Sequence, residues 1–189
     1  LENNMTDKQK RQAHIKTMAN HRKHVMHWCF KMGIPWQGLV HDLSKYTKEE
    51  FGIYKFYGGT KSPHAMAREQ LGYSPFWQYH KNRNKHHWEF WLDNQDGDDF
   101  KAVKIPYKYV IEMFCDMIGA GKAYANKKWT VRDPLDYYET RCRGQCLMHK
   151  SSEELLTKLM KILIDCETEE MFFEWYHANK KLLKAIYGE

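Results

Sequence analysis

The chain lacks most of the features that would assign it at once to a membrane, secreted or nucleotide-binding class. No apolar run in its 189 residues approaches the roughly 20 residues of a membrane-spanning helix. Residues 1–8 lack the apolar segment of a secretory signal, and an odd number of cysteines, five, does not fit a secreted disulfide framework. No Gly-rich phosphate loop is present. We therefore expect a cytoplasmic protein that does not contact a membrane.

The chain also lacks a concentrated block of positive charge. It has 30 lysines and arginines against 24 acidic residues, which gives a formal net charge of +6 at neutral pH. The basic residues are scattered, so most are expected on solvated helix faces, and nucleic acid is not the expected partner. A mild positive field suits a small anionic substrate such as a phosphate ester. The sequence leaves homodimer formation open.

What the chain does have is enough apolar material for a core and a helical pattern over most of its length. Hydrophobic residues make up 42% and aromatic residues 15% of the sequence. Apolar positions recur at helical spacing, and alternating runs of useful strand length do not occur. The sequence therefore predicts one all-α domain over residues 1–189, a compact bundle of seven or more helices. The acidic segment 93–99 is predicted to be a loop.

Capping and helix-breaking residues set the predicted helix boundaries. Thr6 and Gln9 form a capping box that opens a helix to about Met32, where Gly33 and Pro35 end it. The next two predicted helices are a short one from Trp36 or Gln37 that carries His41 and Asp42, and one that is capped by Thr47 with Glu50 and ends at about Tyr57. Further helices are opened by Ser62-Pro63 and by Ser74-Pro75, and another begins at Pro106 and frays near Gly119 to Gly121. The last three are a short helix at Asp133-Pro134, one opened by Ser151 with Glu154 that ends at about Cys166, and one from Thr168 to near Gly188.

The most informative feature is the adjacent pair His41 and Asp42, which follows an apolar run. A buried histidine beside a buried aspartate is costly unless another group pairs with them. A divalent metal is such a partner, because imidazole nitrogen and carboxylate oxygen together suit Zn, Fe, Mn or Ni. Histidine clusters lie on both sides of the pair, so the sequence predicts a catalytic metal site.

Further ligands are expected from the histidine clusters before and after this pair. In the first helix, neighbouring pairs among His21, His24 and His27 share a face; we select His24 as the ligand and keep the other two as alternatives. After the pair, a continuous helix over 79–91 would place His80, Asn84 and His87 on one face. A helix break at Asn84 would instead make His86 available, and two ligands from this segment would allow a second metal.

A late carboxylate and a lysine complete the candidate site. Asp116 is the best candidate for the carboxylate, because an unpaired carboxylate on an apolar helix would be costly. Glu112 lies one turn earlier and shares its face. Lys45 follows His41 by four residues and could hold a phosphate oxygen or pair with Asp42. The alternative for Lys45 is a surface lysine that complements the helix dipole.

The order of these residues resembles the HD-domain superfamily of metal-dependent phosphohydrolases, which has one histidine, an adjacent His-Asp pair, optional middle histidines and a late aspartate, all on helices. The blocks HDLSK at 41–45, NKHHWEFW at 84–91 and EMFCD at 112–116 also look like an uncharacterised family of bacterial and phage proteins. The close resemblance covers about residues 16–124. The C-terminal helices, 134–188, are expected to pack on that part.

The resemblance implies a set of metal ligands. One divalent transition metal (Mn, Fe, Co, Ni or Zn) would be bound by His24, His41, Asp42 and Asp116. A second ion would be bound by His80 with His86 or His87, unless these histidines donate to the developing charge instead.

The resemblance also implies a function, namely hydrolysis of a nucleotide or another small phosphate ester by a metal-activated water. Lys45 would hold a nonbridging phosphate oxygen, and Asp42 would help to orient the water. Two alternatives stay open. The mixed ligand set also suits diiron oxygenase chemistry, and the histidine cluster could be a structural metal site in a non-enzymatic binding protein.

Overall fold

The computed structural model describes residues 5–59, 61–94, 99–125 and 128–188. Within these ranges almost all regular structure is helical, which confirms the all-α prediction. None of the helices in these ranges combines the length and apolar character needed to cross a membrane. The helices are α1 (Asp7–Lys31), α2 (Pro35–Val40), α3 (Lys48–Phe51), α4 (Pro63–Leu71), α5 (Pro75–Arg83), α6 (Tyr107–Ala125), α7 (Asp133–Arg141), α8 (Lys150–Asp165) and α9 (Glu169–Tyr187).

Short 3-10 turns and one small ribbon connect these helices. The turns cover Leu43–Tyr46, Gly52–Phe56 and Trp88–Trp91. Strands β1 (Leu92–Asp93) and β2 (Lys101–Ala102) pair in antiparallel fashion, so the acidic segment 93–99 predicted as a loop begins with a strand residue, Asp93. Of that segment, residues 95–98 lie outside the described ranges.

Helix α1 begins where its capping residues predict. The Thr6 side chain accepts a hydrogen bond from the Gln9 backbone N–H, and the Gln9 side chain accepts one from the Thr6 backbone N–H. After α1, Gly33 has φ 71°, a conformation that favours glycine, and Pro35 opens α2. A Cβ at Gly38 would lie 2.8 Å from Cys29 Cβ, so α2 packs closely against α1. The segment after α2 therefore starts beside α1.

The core forms where α1 packs against α6. Val25 and Trp28 of α1 and Phe114 of α6 are fully buried, and the rings of Trp28 and Phe114 meet nearly edge to face at 5.8 Å. A Cβ at Gly119 would lie 2.4 Å from Val25 Cγ2 and 3.2 Å from the Val25 backbone N, so the two helices approach closely at this point. This approach fixes the relative positions of the polar residues that each helix contributes to the site.

The prediction that the helix beginning at Pro106, which is α6 in the structure, frays near Gly119 to Gly121 is wrong. Helix α6 continues to Ala125. Both glycines serve packing rather than termination, because Gly119 contacts α1 and a Cβ at Gly121 would lie 2.8 Å from the Trp129 side chain.

Helices α8 and α9 complete the core, with Leu159 and Leu163 on the first and Phe172 and Tyr176 on the second fully buried. Thr168 caps α9 as predicted, since its hydroxyl accepts the Met171 backbone N–H. The cap of α8 is His149 rather than the predicted Ser151.

The segment after Thr47 departs from its prediction in a way that concerns the site. The expected single helix to about Tyr57 is divided into α3 and a 3-10 turn, and Thr47 makes no side-chain cap. The Glu50 side chain turns away from the helix start and is buried against Ser44 and His80. A residue that the sequence suggests as a cap thus belongs to the buried polar cluster described next.

Candidate metal centre

The His41 and Asp42 pair lies in a turn rather than on a helix. Helix α2 ends at Val40, and Asp42 has φ 55° and ψ 23°, in the left-handed region that few non-glycine residues adopt. Aspartate tolerates this region better than most side chains do. The prediction that a helix carries both residues is therefore wrong. The turn buries the two residues, each 1% exposed, next to one another.

A first group of potential ligand atoms combines α1, this turn and α6, and it consists of His21, His41, Asp42 and Asp116. His21 Nε2 lies 3.1 Å from Asp116 Oδ1 and 3.4 Å from Asp42 Oδ2. His41 Nε2 lies 3.3 Å from each of these oxygens and 3.2 Å from His21 Nε2. Four tetrahedral ligand atoms about 2.0–2.2 Å from one ion are about 3.3–3.6 Å from one another, close to these separations. The spacing therefore fits four ligands around one ion.

A second group lies at the other oxygen of Asp42 and consists of Asp42, His80, His86 and His87. His80 Nε2 and His86 Nε2 lie 3.4 and 3.6 Å from Asp42 Oδ1. The His86 and His87 rings are 4.2 Å apart. Asp42 thus presents one carboxylate oxygen to each group.

The backbone at Asn84 explains how His86 reaches this group. Helix α5 ends at Arg83, and Asn84 has an extended conformation with φ −114° and ψ 107°. Of the two alternatives left open by the sequence, the structure adopts the helix break that makes His86 available. His86 is 2% exposed.

Two further carboxylates lie behind the histidine rings. Glu112 Oε1 lies 3.1 Å from His41 Nδ1 and 3.1 Å from His86 Nδ1. Glu50 Oε2 lies 2.9 Å from His80 Nδ1. Each of these rings therefore has Nδ1 toward a glutamate and Nε2 toward Asp42. A carboxylate on the far ring nitrogen orients a histidine and leaves the other nitrogen available to a metal.

Lys45 lies at the edge of the cluster. Its Nζ is 2.5 Å from Asp42 Oδ2, and its side chain is 23% exposed. Burial alone would lower the pKa of Lys45, but the charges of Asp42 and Asp116 raise it above its ordinary value. Lys45 is therefore cationic, and it pairs with Asp42, as one of the sequence-based alternatives predicts.

The cluster as a whole attracts positive charge. Burial alone would raise the pKa of Asp42, but His41 and Lys45 hold it well below its ordinary value. Burial alone would also raise the pKa of Asp116, but hydrogen bonds from His21 and His41 outweigh it and hold this pKa well below its ordinary value. Burial alone would lower the pKa of His41, yet these carboxylates raise it well above its usual range. A divalent cation would supply this positive charge more fully.

Several buried atoms in the cluster support the same conclusion. Within the described ranges, Asp42 Oδ1, His86 Nε2 and His87 Nε2 are buried and have no hydrogen-bond partner. A buried polar atom without a partner is costly. All three atoms belong to the second group, so the residues present fit an ion there. Imidazole and carboxylate donors together suit Mn, Fe, Co, Ni or Zn and do not select among them.

The structure corrects the choice of His24 as the ligand from α1. His24 is half-buried outside all of these groups, where burial and the charges of Lys122 and Lys23 lower its pKa, and His27 is exposed. The site contains His21, the first alternative. Helical periodicity carries a signal for it, because His21 precedes two apolar positions of α1 by four and seven residues and so lies on their side of the helix. These positions are Val25 and Trp28, and both are fully buried.

The sequence did not predict that Glu50 contacts a histidine of the cluster. For Glu112 it predicted only that the residue shares a helix face with Asp116. A chain of hydrogen bonds holds Glu50 in position: Asn84 Nδ2 donates to Ser44 Oγ at 2.8 Å, and Ser44 Oγ donates to Glu50 Oε2 at 3.0 Å. Nothing in the sequence distinguishes this arrangement, since the spacing of Glu50 from Thr47 fits a helix cap equally well.

The fold and the site define an all-α protein with a buried cluster of histidines and carboxylates that could hold metal ions. Residues 10–162 match the model of the family described as "Family of unknown function (DUF5662)". Because the match covers most of the chain, the chain belongs to this family. No curated protein and no solved structure was found to match it.

Proposed function

We propose that this chain is a metal-dependent phosphohydrolase that acts on a nucleotide or another small phosphate ester. The observation that carries the proposal is the convergence of two groups of imidazole Nε2 atoms on the two oxygens of Asp42. Two-metal sites are common among phosphatases and nucleases. The order of the residues, with an adjacent His-Asp pair and a late aspartate, resembles HD-domain phosphohydrolases and supports the same class.

The two groups of potential ligand atoms give each proposed ion its ligands. When bound, such ions lower the pKa of a water and polarise a phosphoryl oxygen. His21, His41, Asp42 and Asp116 would hold one ion, and Asp42, His80, His86 and His87 would hold the other.

Three residues of the chain take further parts in the proposed reaction. The Lys45 ammonium group, partly exposed at the edge of the cluster, would hold a nonbridging phosphate oxygen. Asp42 stays ionised, so it can accept a hydrogen bond from the attacking water and orient it. Burial and the charges of His86 and His80 hold the pKa of His87 well below normal, so His87 is neutral. It serves as a ligand or donates a hydrogen bond to the developing charge.

The alternatives of a diiron oxygenase and of a structural site in a binding protein would use the same donors. Lys45 favours the phosphate ester, because a cation beside the buried carboxylate has a use when the substrate is anionic. Neither alternative needs a cation at this position.

Metal-dependent hydrolysis by the purified chain tests the proposal. After loading with Mn, Fe, Co, Ni or Zn, elemental analysis gives the stoichiometry, and a panel of nucleotides and simple phosphate monoesters gives the rates. We expect one or two equivalents of metal and phosphate release with at least one ion, and both should be lost in Asp42→Asn. Lys45→Met should keep its metal and lose about 100-fold or more in rate, as when one stabilising donor is removed.

The other outcomes point to the alternatives. Visible absorbance and oxygen-dependent turnover without phosphate release would favour the diiron chemistry. Bound metal with no turnover of any ester would favour a structural site, and a chain that takes up none of the five metals would overturn the proposal.

A further inference from the structure

Glu112 contacts histidines from both of the groups that meet at Asp42. It lies on α6 one turn before Asp116 and is 5% exposed. Its Oε1 lies 3.1 Å from Nδ1 of His41, which belongs to the first group, and 3.1 Å from Nδ1 of His86, which belongs to the second. The centroids of these two rings are 4.5 Å apart. One carboxylate oxygen therefore lies between two rings that serve different groups.

The shared oxygen restricts where the ring hydrogens can lie. A carboxylate oxygen accepts from both Nδ1 atoms at once, whereas a protonated carboxyl could donate to only one of them. A neutral imidazole with hydrogen on Nδ1 has none on Nε2, so its Nε2 lone pair is free. In both rings a bound ion would meet this lone pair, because Nε2 faces a carboxylate of the same group: His41 Nε2 is 3.3 Å from Asp116 Oδ1, and His86 Nε2 is 3.6 Å from Asp42 Oδ1.

We infer that Glu112 is a positioning residue shared by the two metal groups. It holds His41 for the first ion and His86 for the second, each with hydrogen on Nδ1 and the ring turned toward Asp42. The inference rests on the metal site of the proposed function. Its consequence is a dependence of both ions on one carboxylate that would bind neither of them, and loss of such a partner typically weakens metal binding about 10–100-fold.

A competing arrangement uses the same three residues differently. His41, His86 and Glu112 also form a group whose atoms could hold an ion among themselves. That arrangement would require the Nδ1 lone pairs, which would place the hydrogens of both rings on Nε2. The position of these hydrogens therefore separates a positioning residue from a ligand.

Glu50 provides a matched control. It is a buried glutamate, 2% exposed, that contacts Nδ1 of His80 at 2.9 Å. His80 belongs to the second group and not to the first. Both variants replace a buried glutamate by glutamine. Glu50→Gln makes this change behind one metal group, and Glu112→Gln makes it behind both.

The experiment is a calorimetric titration of the parent chain and the two variants with Mn²⁺ and with Zn²⁺. We expect two binding steps in the parent, a loss of about 10–100-fold in both steps for Glu112→Gln, and a loss in one step for Glu50→Gln. The inference is overturned if Glu112→Gln weakens neither step or only one, or if the parent binds fewer than two ions.

A second measurement keeps the test decisive if Glu112→Gln does not fold. Long-range ¹H–¹⁵N spectra of the Zn²⁺-loaded parent chain should show hydrogen on Nδ1 and none on Nε2 of both His41 and His86, and hydrogen on Nε2 of either ring would overturn the inference. Neither measurement uses turnover. A chain that behaves as expected in both but hydrolyses no phosphate ester would therefore overturn the proposed function and leave the part of Glu112 intact.

Discussion

Two histidines one turn apart on α1 allow a matched test of where the first metal group lies. His21 is 6% exposed, and its Nε2 lies 3.1 Å from Asp116 Oδ1. His24 is half-buried and belongs to none of the groups. We expect His21→Ala to abolish most of the stabilisation that an ion in the first group gives and His24→Ala to retain it.

The size of the effect follows from mass action. An ion at 100 times its Kd stabilises the folded chain by about 2.7 kcal/mol. In a chain of this length, 1 kcal/mol corresponds to about 2–4 °C in Tm, so the ion of the first group should by itself add about 5–11 °C. His21 supplies one of the four donors in its group. If its loss weakens binding in the first group about 100-fold, as removal of an outer partner alone can do, the same ion concentration leaves about 0.4 kcal/mol, or about 1–2 °C, from this ion.

Differential scanning calorimetry measures this shift directly. Each variant is compared with itself in the presence and absence of Mn²⁺ or Zn²⁺, at a concentration about 100 times the Kd of the parent chain. The cavity left by each alanine then affects both scans equally and cancels. A full shift in His21→Ala, or a lost shift in His24→Ala, would refute the assignment of the first group.

Two more predictions concern stability away from the ligands. We expect Gly119→Ala to lower the free energy of unfolding by about 1–3 kcal/mol, because its Cβ would lie 2.4 Å from Val25 Cγ2; a variant as stable as the parent in urea would contradict this. His14 is 5% exposed, neither ring nitrogen has a hydrogen-bond partner, and burial with the charge of Lys45 lowers its pKa from 6.5 to about 4. Because the unfolded chain then binds a proton more readily, His14 makes stability fall as the pH decreases from about 6.5 towards 4. His14→Leu should remove about 2 kcal/mol of the difference in unfolding free energy between pH 7 and pH 5, and equal pH dependence in both chains would speak against it.

Helix starts were predictable where the signal is local. The capping box of Thr6 with Gln9, the Pro at the start of α4 and the cap at Thr168 all act within about four residues, and the structure has all three. Gly119 misleads because its function depends on Val25, a residue 94 positions earlier. A sequence pattern within one helix cannot distinguish a glycine that ends the helix from one that admits a neighbouring helix.

The candidate site divides in the same way. Four of the ligand candidates could be predicted because a metal is the best partner for buried histidine and aspartate side chains: His41, Asp42, His80 and Asp116. All four lie in groups that could hold an ion. Glu50 could not be predicted, because its contact with His80 joins residues 30 positions apart and no local sequence pattern indicates it. The residues that orient a ligand are thus harder to predict than the ligands themselves.

The turn at Asp42 explains why two adjacent residues can serve one site. Side chains of neighbours on a helix point about 100° apart, and those on a strand point to opposite faces. The left-handed backbone at Asp42 avoids both outcomes at a conformational cost of about 1 kcal/mol or more. Glycine would relax the turn but remove the carboxylate that both groups share. Asn tolerates the same conformation and keeps the shape without the charge. Asp42→Asn therefore tests the carboxylate alone, and its metal affinity should fall while its fold persists.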